Sequence, residues 1–335
     1  MNQKFSYKKA GVDIEKAEKA LSKLKSSIAK THNKHVLKNI GAFGGFYQFP
    51  IKKYKNPILI SSTDGVGTKL KVAVMMNKHD TVGQDLVNHC INDIAVCGAT
   101  PLFFLDYFGC GKLSASVYHD VIMGFVKACQ KANLPLIGGE TAEMPDVYHP
   151  GEYDLVGTIV GAVERNQIID GSDIREGDQI IGIASNGLHT NGFSLARKVL
   201  FPRFQPDEIL PGLHLPLGEE LLKIHLNYFP IIKKLKKHFS IKGLAHITGG
   251  GLFKNTIRIV PEGLLPEFNW RSWEVPPIFQ LIQKTGQVPI KDMRQTFNIG
   301  IGLVVVIRNR DLEPVTSIIQ ANKYKCFHIG KIISK

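Results

Sequence analysis

The segment Pro57-Ile-Leu-Ile-Ser-Ser-Thr-Asp64-Gly65-Val-Gly67-Thr68-Lys69-Leu-Lys71 decides how this chain folds. Residues 58–60 form a short apolar run rich in β-branched side chains, which predicts a buried strand. Asp64 follows at the carboxyl end of that strand. Gly65 and Gly67 then allow a tight turn in which a ligand can approach the backbone closely.

Two interpretations of this turn remain open from the residues alone. Exposed amides, the Thr68 hydroxyl and the Lys69 ammonium can face an anion. A carboxylate just before them, such as Asp64, is what Mg²⁺ needs in order to bridge protein to phosphate. Alternatively, Asp64 only caps the helix that follows. The P-loop pattern G-x-x-x-x-G-K-[ST] is absent from the segment.

Length and composition predict a globular protein with two domains. The chain has 335 residues, of which 44% are hydrophobic, enough for two cores. No apolar run reaches the roughly 18 residues of a membrane-spanning helix, and the first nine residues lack the apolar core of a signal peptide. The five cysteines are odd in number and form no C-x-x-C pair. We therefore expect reduced thiols, a cytoplasmic location and no membrane contact.

The net charge of +13 raises the question of nucleic acid binding. The lysines and arginines are scattered, with short clusters at residues 52–55 and 233–237. No zinc finger, RNA-binding signature or basic-aromatic ladder accompanies them. We therefore expect a lysine-rich solvated surface that attracts anionic small substrates, and no nucleic acid partner.

Before and after the first strand, the pattern predicts two helices and a loop. Asp13 can cap an amphipathic helix over residues 14–28. Residues 41–46 form a glycine-rich loop that either covers a nucleotide or merely joins two elements. Residues 81–97 have helical character, and Asp85, Asn88 or His89, and Asn92 fall on one face. That polar stripe, with Asp93 beside it, lines a site or faces solvent.

A second acidic turn is predicted farther along the first half. Residues 101–108 predict a central strand, residues 116–132 an amphipathic helix and residues 134–137 another strand. The last strand runs into Gly138-Gly139-Glu140-Thr141-Ala142-Glu143-Met144-Pro145. Carboxylates that recur in turns at strand ends are typical of a metal-phosphate site. The recurrence favours a binding function for both Asp64 and Glu140.

Turn signals at residues 166–178 predict a boundary between two mixed α/β domains, 1–168 and 169–335. In the second half, residues 185–192 form a loop of small polar residues that leads into a helix at 193–200. Residues 246–251 form another strand-to-helix glycine loop. Both loops are candidate anion sites at helix N-termini, although a triple glycine can also be a tight packing joint.

Read together, these segments resemble the phosphoribosylformylglycinamidine cyclo-ligases, the aminoimidazole ribonucleotide (AIR) synthase family. The resemblance extends over nearly the whole chain, and its most specific piece is residues 138–145. Further matching segments are residues 6–14, 41–46, 63–69, 92–93, 185–192, 246–251 and 296–302.

The resemblance implies that ATP phosphorylates the formyl oxygen of formylglycinamidine ribonucleotide. The amidine nitrogen would then close the imidazole ring with loss of phosphate. An amide oxygen is a poor leaving group, so it must be activated, and positioning with charge neutralisation would supply most of the rate. The products would be aminoimidazole ribonucleotide, ADP and phosphate.

The resemblance also implies roles for individual residues. Asp64, Asp93 and Glu140 would hold Mg²⁺ on the ATP phosphates, with Lys69 and Lys25 countering phosphate charge. His189 and Asn191 would face the formylglycinamidine substrate as polariser or proton carrier. The implied nucleotide contacts are Gly41, Phe43, Gly44, Gly65, Gly67, Thr68, Gly249, Gly250 and Asn298.

A homodimer whose first-domain sheets join into a shared barrel is implied as well. The chain departs from the family pattern at Asn88-His89, where small or apolar residues are usual.

Three relatives on the same fold are disfavoured by visible residues. Selenophosphate synthetases need a reactive residue in the 41–46 loop, the hydrogenase maturation protein needs a C-terminal cysteine, and thiamine-phosphate kinases have Gly-Gly-Asp-Thr at 138–141. A basic nucleic-acid binder on an old enzyme fold is disfavoured by the retained acids, and it predicts salt-sensitive oligonucleotide binding.

Overall fold

The computed structural model describes residues 6–335 of the chain. Residues 1–5, which belong to the N-terminal segment compared with signal peptides, lie outside the described residues. The strands of the first sheet are β1 (Pro57–Gly65), β2 (Thr100–Cys110), β3 (Leu136–Glu143) and β4 (Tyr153–Glu164). Those of the second sheet are β5 (Gln179–Ala184), β6 (Gly243–His246), β7 (Leu264–Phe268), β8 (Ile301–Ile307) and β9 (Cys326–Ser334).

Helices lie between most of the strands in both halves. They are α1 (Ile14–Ala29), α2 (Leu70–Met75), α3 (Val82–Ala95), α4 (Ala115–Ala132), α5 (Phe193–Leu200), α6 (Leu217–Leu221), α7 (Phe229–His238), α8 (Gly251–Ile257), α9 (Pro277–Gly286), α10 (Ile290–Thr296) and α11 (Leu312–Ala321). The α1 prediction is confirmed with its cap, because the Asp13 carboxylate accepts a hydrogen bond from the Lys16 amide at 3.2 Å. Among residues 6–335, no helix is long and apolar enough to cross a membrane.

The first sheet has the strand order β1-β4-β2-β3. Strand β4 pairs antiparallel with both β1 and β2, whereas β2 and β3 are parallel and are joined by the α4 crossover. The strand predicted at residues 58–60 is confirmed, but it is not buried. It lies at the sheet edge, where Leu59 is 62% exposed.

The segment predicted as a second acidic turn is part of a strand. Strand β3 continues through the two glycines and Glu140 to Glu143, paired with β2 from Leu136 to Glu143. The turn prediction is therefore wrong. Pairing along β2 satisfies the backbone groups of the glycines, so the strand does not stop where the apolar run ends.

The second sheet has the order β6-β8-β5-β9-β7, and its pairs are antiparallel. Strand β8 is buried at every position, as its unbroken Ile-Gly-Leu-Val-Val-Val-Ile run predicts. The prediction for α5 is confirmed at both ends. The structure thus confirms a mixed α/β fold with two sheets.

The two halves share one apolar core beside the first sheet. Helix α3 packs on β1, β2 and β4, and helix α4 packs on α3. The same cluster includes Leu188, Phe193 and Leu217 from the second half. Burial of these side chains holds the second-half loops against α3. The junction between the halves is therefore a packed and defined place for a site.

Candidate active site

Asp64 lies at the end of β1, where the chain leaves the sheet. Its Oδ1 atom accepts a hydrogen bond from the Gly65 amide at 2.7 Å, and its side chain is 46% exposed. Gly67 adopts a left-handed φ of +67° and starts the 3₁₀ turn that leads to Lys69. Thr68 Oγ1 lies 2.9 Å from Ser194 Oγ at the start of α5. The turn therefore touches the second half of the chain.

Helix α3 presents Asp93 and His89 to Asp64. His89 Nε2 lies 2.9 Å from Asp64 Oδ2 and 3.7 Å from Asp93 Oδ2, with His89 and Asp93 one helical turn apart. Asp93 also accepts a hydrogen bond from Ser62 Oγ at 3.0 Å. The structure thus brings two of the three predicted metal ligands to one place.

Four histidines from distant segments of the chain meet beside this acidic pair. They are His89, His189, His225 and His246. His246 Nδ1 lies 2.8 Å from Asp93 Oδ1, and His246 Nε2 lies 2.9 Å from His225 Nε2. The rings of His189 and His225 stack with their centroids 4.0 Å apart.

The protonation of this cluster follows from burial and from the two carboxylates. Burial lowers the pKa of His189 and of His225 well below the ordinary value, and the neighbouring basic groups lower it further. For His89, the carboxylates of Asp64 and Asp93 outweigh burial and raise the pKa. Burial raises the pKa of both aspartates, but their contacts with the imidazoles outweigh it and leave each pKa below the ordinary value. The two carboxylates therefore favour the charged form of the His89 imidazole.

A cleft of about 630 Å³ opens between the halves next to this cluster. Asp64, Asp93, His246, Thr248 and Arg258 are among the residues that line it. A concave site at a domain junction, with a few convergent polar groups, is the usual form of a small-molecule site. His246 and Arg258 were missed at the sequence level, because only the fold brings residues 246–258 against β1.

The predicted substrate residues lie at different depths. His189 is 2% exposed, has a left-handed φ of +60° and stacks on His225 rather than facing the cleft. Neither of its ring nitrogens has a hydrogen-bond partner within residues 6–335. Asn191 is half-buried, and a Cβ placed on Gly249 would lie 3.2 Å from its Oδ1 atom. The two predicted second-half loops therefore adjoin each other.

Asn298 is not available to a nucleotide. Its Oδ1 atom accepts from Ser185 Oγ at 2.9 Å and from the Gly300 amide at 2.8 Å, and its Nδ2 atom donates to the Gly187 carbonyl at 2.9 Å. The side chain is 3% exposed. The structure thus corrects the predicted nucleotide contact, because Asn298 ties two loops together from inside the protein.

Lys69 also points inward, away from any phosphate. Its ammonium contacts Asp85 at 2.9 Å and the carbonyls of His189 and Lys223 at 3.2 and 2.7 Å, and the residue is 0% exposed. Burial lowers the pKa of Lys69 and raises the pKa of Asp85. The attraction between the two opposite charges opposes both shifts. All three ammonium protons have acceptors, which contradicts the predicted phosphate contact.

Glu140 does not join Asp64 and Asp93 within one chain. In the sheet register, Asp64 is level with Gly139, and β4 and β2 lie between them. Three strand spacings of about 4.8 Å separate the two backbones by roughly 14 Å. Glu140 neighbours Tyr107 rather than Asp106, so it projects from the opposite face of the sheet. The predicted convergence of three acids is therefore not found.

Glu140 instead borders a separate cavity of about 270 Å³ between α1 and β3. Ile40, next to the glycine loop, and Asp106 also border this cavity. Lys25 projects from α1 to Gly41, because a Cβ placed on Gly41 would lie 3.7 Å from Lys25 Nζ. Lys25 therefore lies beside Gly41, and Gly44 belongs to the same loop as Gly41. Phe43, also in this loop, is fully exposed.

Burial raises the pKa of Asp106 to about 7, well above its usual value. The folded state therefore binds a proton that the unfolded state releases between about pH 4 and pH 7, so this group destabilises the fold progressively as pH rises through that window. We expect Asp106→Asn to stabilise the protein at pH 8 by about 1–2 kcal/mol and to have little effect at pH 4.5. Thermal unfolding at both pH values measures this difference, and equal effects at both would contradict it.

Two family models match the chain. The N-terminal domain of AIR synthase related proteins matches residues 51–163, and the C-terminal domain matches residues 175–335. A protein of Thermodesulfovibrio yellowstonii named phosphoribosylformylglycinamidine cyclo-ligase is 49% identical over 329 residues, which cover 98% of this chain and 96% of that one. A protein of Syntrophus aciditrophicus with the same name is 47% identical over 334 residues, covering 99% and 96%.

Solved structures share the fold at low sequence identity. A thiamine-monophosphate kinase from Stenotrophomonas maltophilia K279a has a TM-score of 0.69 at 17% identity and covers 93% of each chain. The hydrogenase maturation protein HypE of E. coli has a TM-score of 0.67 at 15% identity and covers 94% of this chain and 91% of its own. At these identities the structures support the fold alone. The two domain matches and the near-full-length relatives establish that this chain belongs to the AIR synthase family.

Proposed function

We propose that this protein is an ATP-dependent ligase of purine biosynthesis. It cyclises formylglycinamidine ribonucleotide to aminoimidazole ribonucleotide and releases ADP and phosphate. The observation that carries this proposal is the convergence of Asp64 and Asp93 on one cleft, in a chain 49% identical to a cyclo-ligase over nearly its full length. The HypE structure solved in complex with ATP has the same fold, which supports ATP as the nucleotide.

Asp64 and Asp93 are the residues proposed to hold Mg²⁺. Both carboxylates raise the pKa of the His89 imidazole that lies between them, and the negative potential that does so also attracts a metal cation. Two carboxylates also match the preference of Mg²⁺ for a few protein oxygens with substrate phosphates as further ligands. When bound, Mg²⁺ would neutralise charge on the transferred phosphoryl group. Glu140 is left out of this set because it lies on the other face of the sheet.

For ATP, we propose contacts at the Asp64 turn and at the glycine loop. Gly65, Gly67 and Thr68 follow the proposed metal ligand directly. Lys25 and the loop that contains Gly41, Phe43 and Gly44 are proposed to cover the nucleotide. Gly249 and Gly250 are proposed to contact a phosphate beside Thr248, which borders the cleft.

The formylglycinamidine substrate is proposed to occupy the cleft between the halves. Phosphoryl transfer to the formyl oxygen turns that oxygen into a leaving group. The amidine nitrogen then attacks the carbon, phosphate departs, and the nitrogen loses a proton. His246 borders the cleft, and burial lowers its pKa, so we propose His246 as the group that accepts this proton. His189 acts through His225 as a positioning residue, and Asn191 is proposed to contact the substrate.

One assay tests the function directly. Purified protein is incubated with ATP and MgCl₂, and aminoimidazole ribonucleotide and ADP are measured with and without formylglycinamidine ribonucleotide. We expect equal amounts of both products and no ADP without the substrate. Thiamine monophosphate serves as the rival substrate, because a kinase for it shares the fold. ADP formed with thiamine monophosphate alone would refute the proposal.

Two glutamine variants separate the roles of His246 and His189. Because His246 borders the cleft, we expect His246→Gln to lower kcat by about 10²-fold. Because His189 is buried behind His225, we expect His189→Gln to lower kcat by only about 10-fold, with little change in the KM for ATP. Steady-state kinetics of both variants measure the difference. A larger loss for His189→Gln would restore His189 to direct contact with the substrate.

The proposal also covers the domain bounds, the oligomeric state and the location of the protein. We propose domains at 1–168 and 169–335, which agree with a gap between the two family matches. We propose a homodimer formed through the first sheet, supported by the exposed Leu59 on edge strand β1. We propose a cytoplasmic location, because the proposed reaction consumes ATP.

A further inference from the structure

A second pocket, of about 560 Å³, lies between the two halves, and we call it the α7 pocket. It is lined by residues 98–100 at the start of β2, by the connecting segment 166–169, and by residues of α7 and the segment after it, within 229–241. Its volume falls within the roughly 300–1,000 Å³ of pockets that hold small molecules. Ile168 and Ile169 line both this pocket and the cleft, so the two are neighbours.

Lysine side chains dominate the charge of the α7 pocket. Lys233, Lys236 and Lys237 line it, and Asp173 is the one acid among its lining residues. The three lysines are three and four positions apart, so they share one face of α7. Among the ion pairs of residues 6–335, none involves any of these lysines. The pocket therefore has a positive potential that attracts anions.

Lys236 is held in the pocket by the first half of the chain. Its ammonium donates a hydrogen bond to the Gly98 carbonyl, and a Cβ placed on Gly98 would lie 3.2 Å from Lys236 Nζ. The side chain is half-buried, and burial lowers the pKa of Lys236. The Gly98 carbonyl accepts only one of its three ammonium protons. A partly buried cation without a carboxylate partner carries a desolvation cost, which a bound anion would offset.

Apolar side chains form much of the remaining lining. Phe229 and Phe239 are half-buried there, and Ile232 and Ile241 also border the pocket. Ile168, on the connecting segment, is 37% exposed. A ring that covers these side chains removes apolar surface from water, which stabilises the complex by about 25 cal/mol per Å². A ligand that satisfies both parts of the lining therefore joins an apolar ring to an anion.

We propose that the α7 pocket binds a small aromatic monophosphate, with its phosphate on Lys233, Lys236 and Lys237 and its ring against the apolar lining. A phosphate monoester carries about 1.5–2 negative charges at pH 7, more than one carboxylate, and so suits three lysines. Lysine binds phosphate as a point charge. This site goes beyond the proposed function, because it uses no residue of the proposed metal site and needs neither ATP nor Mg²⁺.

Phenyl phosphate is the probe, because it joins an aromatic ring to a monophosphate. Full-length protein is titrated by isothermal calorimetry without ATP or MgCl₂, and inorganic phosphate and phenol are titrated separately. We expect one equivalent of phenyl phosphate to bind with a Kd below about 1 mM, and each fragment to bind at least about 10-fold more weakly. Absence of phenyl phosphate binding, or equal affinity for inorganic phosphate or for phenol, would overturn the proposal.

Two variants and a control locate the site on α7. We expect Lys236→Met and Lys237→Met each to weaken phenyl phosphate binding by about 10-fold, because each removes a charge-assisted contact. The matched control is Lys234→Met, since Lys234 lies on the same helix but contacts Asn322 and does not line the pocket. Wild-type affinity in both pocket variants would refute the site. An equal loss in Lys234→Met would also refute it, because the effect would then be one of overall charge.

Folding of each variant is established first by circular dichroism. In Lys236→Met the Gly98 carbonyl loses its donor, whereas Lys237 is exposed and its replacement leaves the packing unchanged. Should Lys236→Met not fold, Lys237→Met carries the test, and wild-type affinity in folded Lys237→Met would then overturn the proposal. The titrations contain no nucleotide and no formylglycinamidine ribonucleotide, so their outcome is independent of the cyclo-ligase assay.

Discussion

Asp64→Asn is expected to lower kcat for aminoimidazole ribonucleotide formation by about 10²–10³-fold, without unfolding the protein. Asparagine keeps an oxygen that can accept from the Gly65 amide but loses the negative charge proposed to bind Mg²⁺. The side chain is 46% exposed, so the substitution leaves no cavity. Steady-state kinetics with saturating ATP and formylglycinamidine ribonucleotide measure the loss.

The matched control for this variant is Asp207→Asn, which removes the same charge from an exposed loop in the second half. We expect the control to keep wild-type kcat. Thermal unfolding of both variants should stay within about 1 kcal/mol of wild type, as is usual for surface substitutions. If Asp64→Asn turned over at the wild-type rate, Asp64 would have no part in binding the metal.

The family resemblance implied that Asp64 and Asp93 act together, and local signals placed each of them on its element. A β-branched run followed by Asp-Gly-x-Gly predicts a strand end, and the spacing of residues 81–97 predicts a helix with a polar face. The placement of Glu140 was not predictable in the same way. Which strands separate β1 from β3, and which face each side chain takes, depends on sheet order and register, which no local pattern encodes.

The histidine cluster was missed for a related reason. His89 and His246 are 157 residues apart, and His225 has no motif around it. His89 carried a signal because it departs from the family pattern, and His189 was an implied substrate residue, but neither signal placed the two rings in one cluster. A buried group of four imidazoles is a product of the domain junction, where α3, β6 and the loops after β5 and α6 meet.

The Lys69 side chain points in a different direction from the one that its sequence motif predicts. A lysine after a glycine turn resembles a phosphate ligand, and its neighbour Thr68 is indeed exposed. The 3₁₀ turn at Gly67–Lys69 instead directs the Lys69 side chain under the turn. There, two carbonyls from the second half and Asp85 from α3 surround the ammonium. A buried cation of this kind joins the two halves.

Lys69→Met should therefore destabilise the fold strongly, by about 3–5 kcal/mol, because Asp85 is left as an uncompensated buried charge. The control is Lys71→Met, two residues on, whose ammonium pairs with Glu152 at the surface. A surface pair contributes about 0–1 kcal/mol, so this control should unfold close to wild type. Urea denaturation of both variants measures the difference.

A double variant decides between the structural role of Lys69 and a phosphate contact. In Lys69→Met/Asp85→Asn the buried charge is gone, and the asparagine oxygen can still accept from the His225 amide, as Asp85 Oδ1 does at 2.7 Å. We expect the double variant to recover more than half of the stability lost in Lys69→Met, since the cost came from the orphaned carboxylate. Recovered stability with near-wild-type KM for ATP would establish Lys69 as a structural cation. A stable Lys69→Met single variant with a much higher KM for ATP would instead return the ammonium to the phosphates.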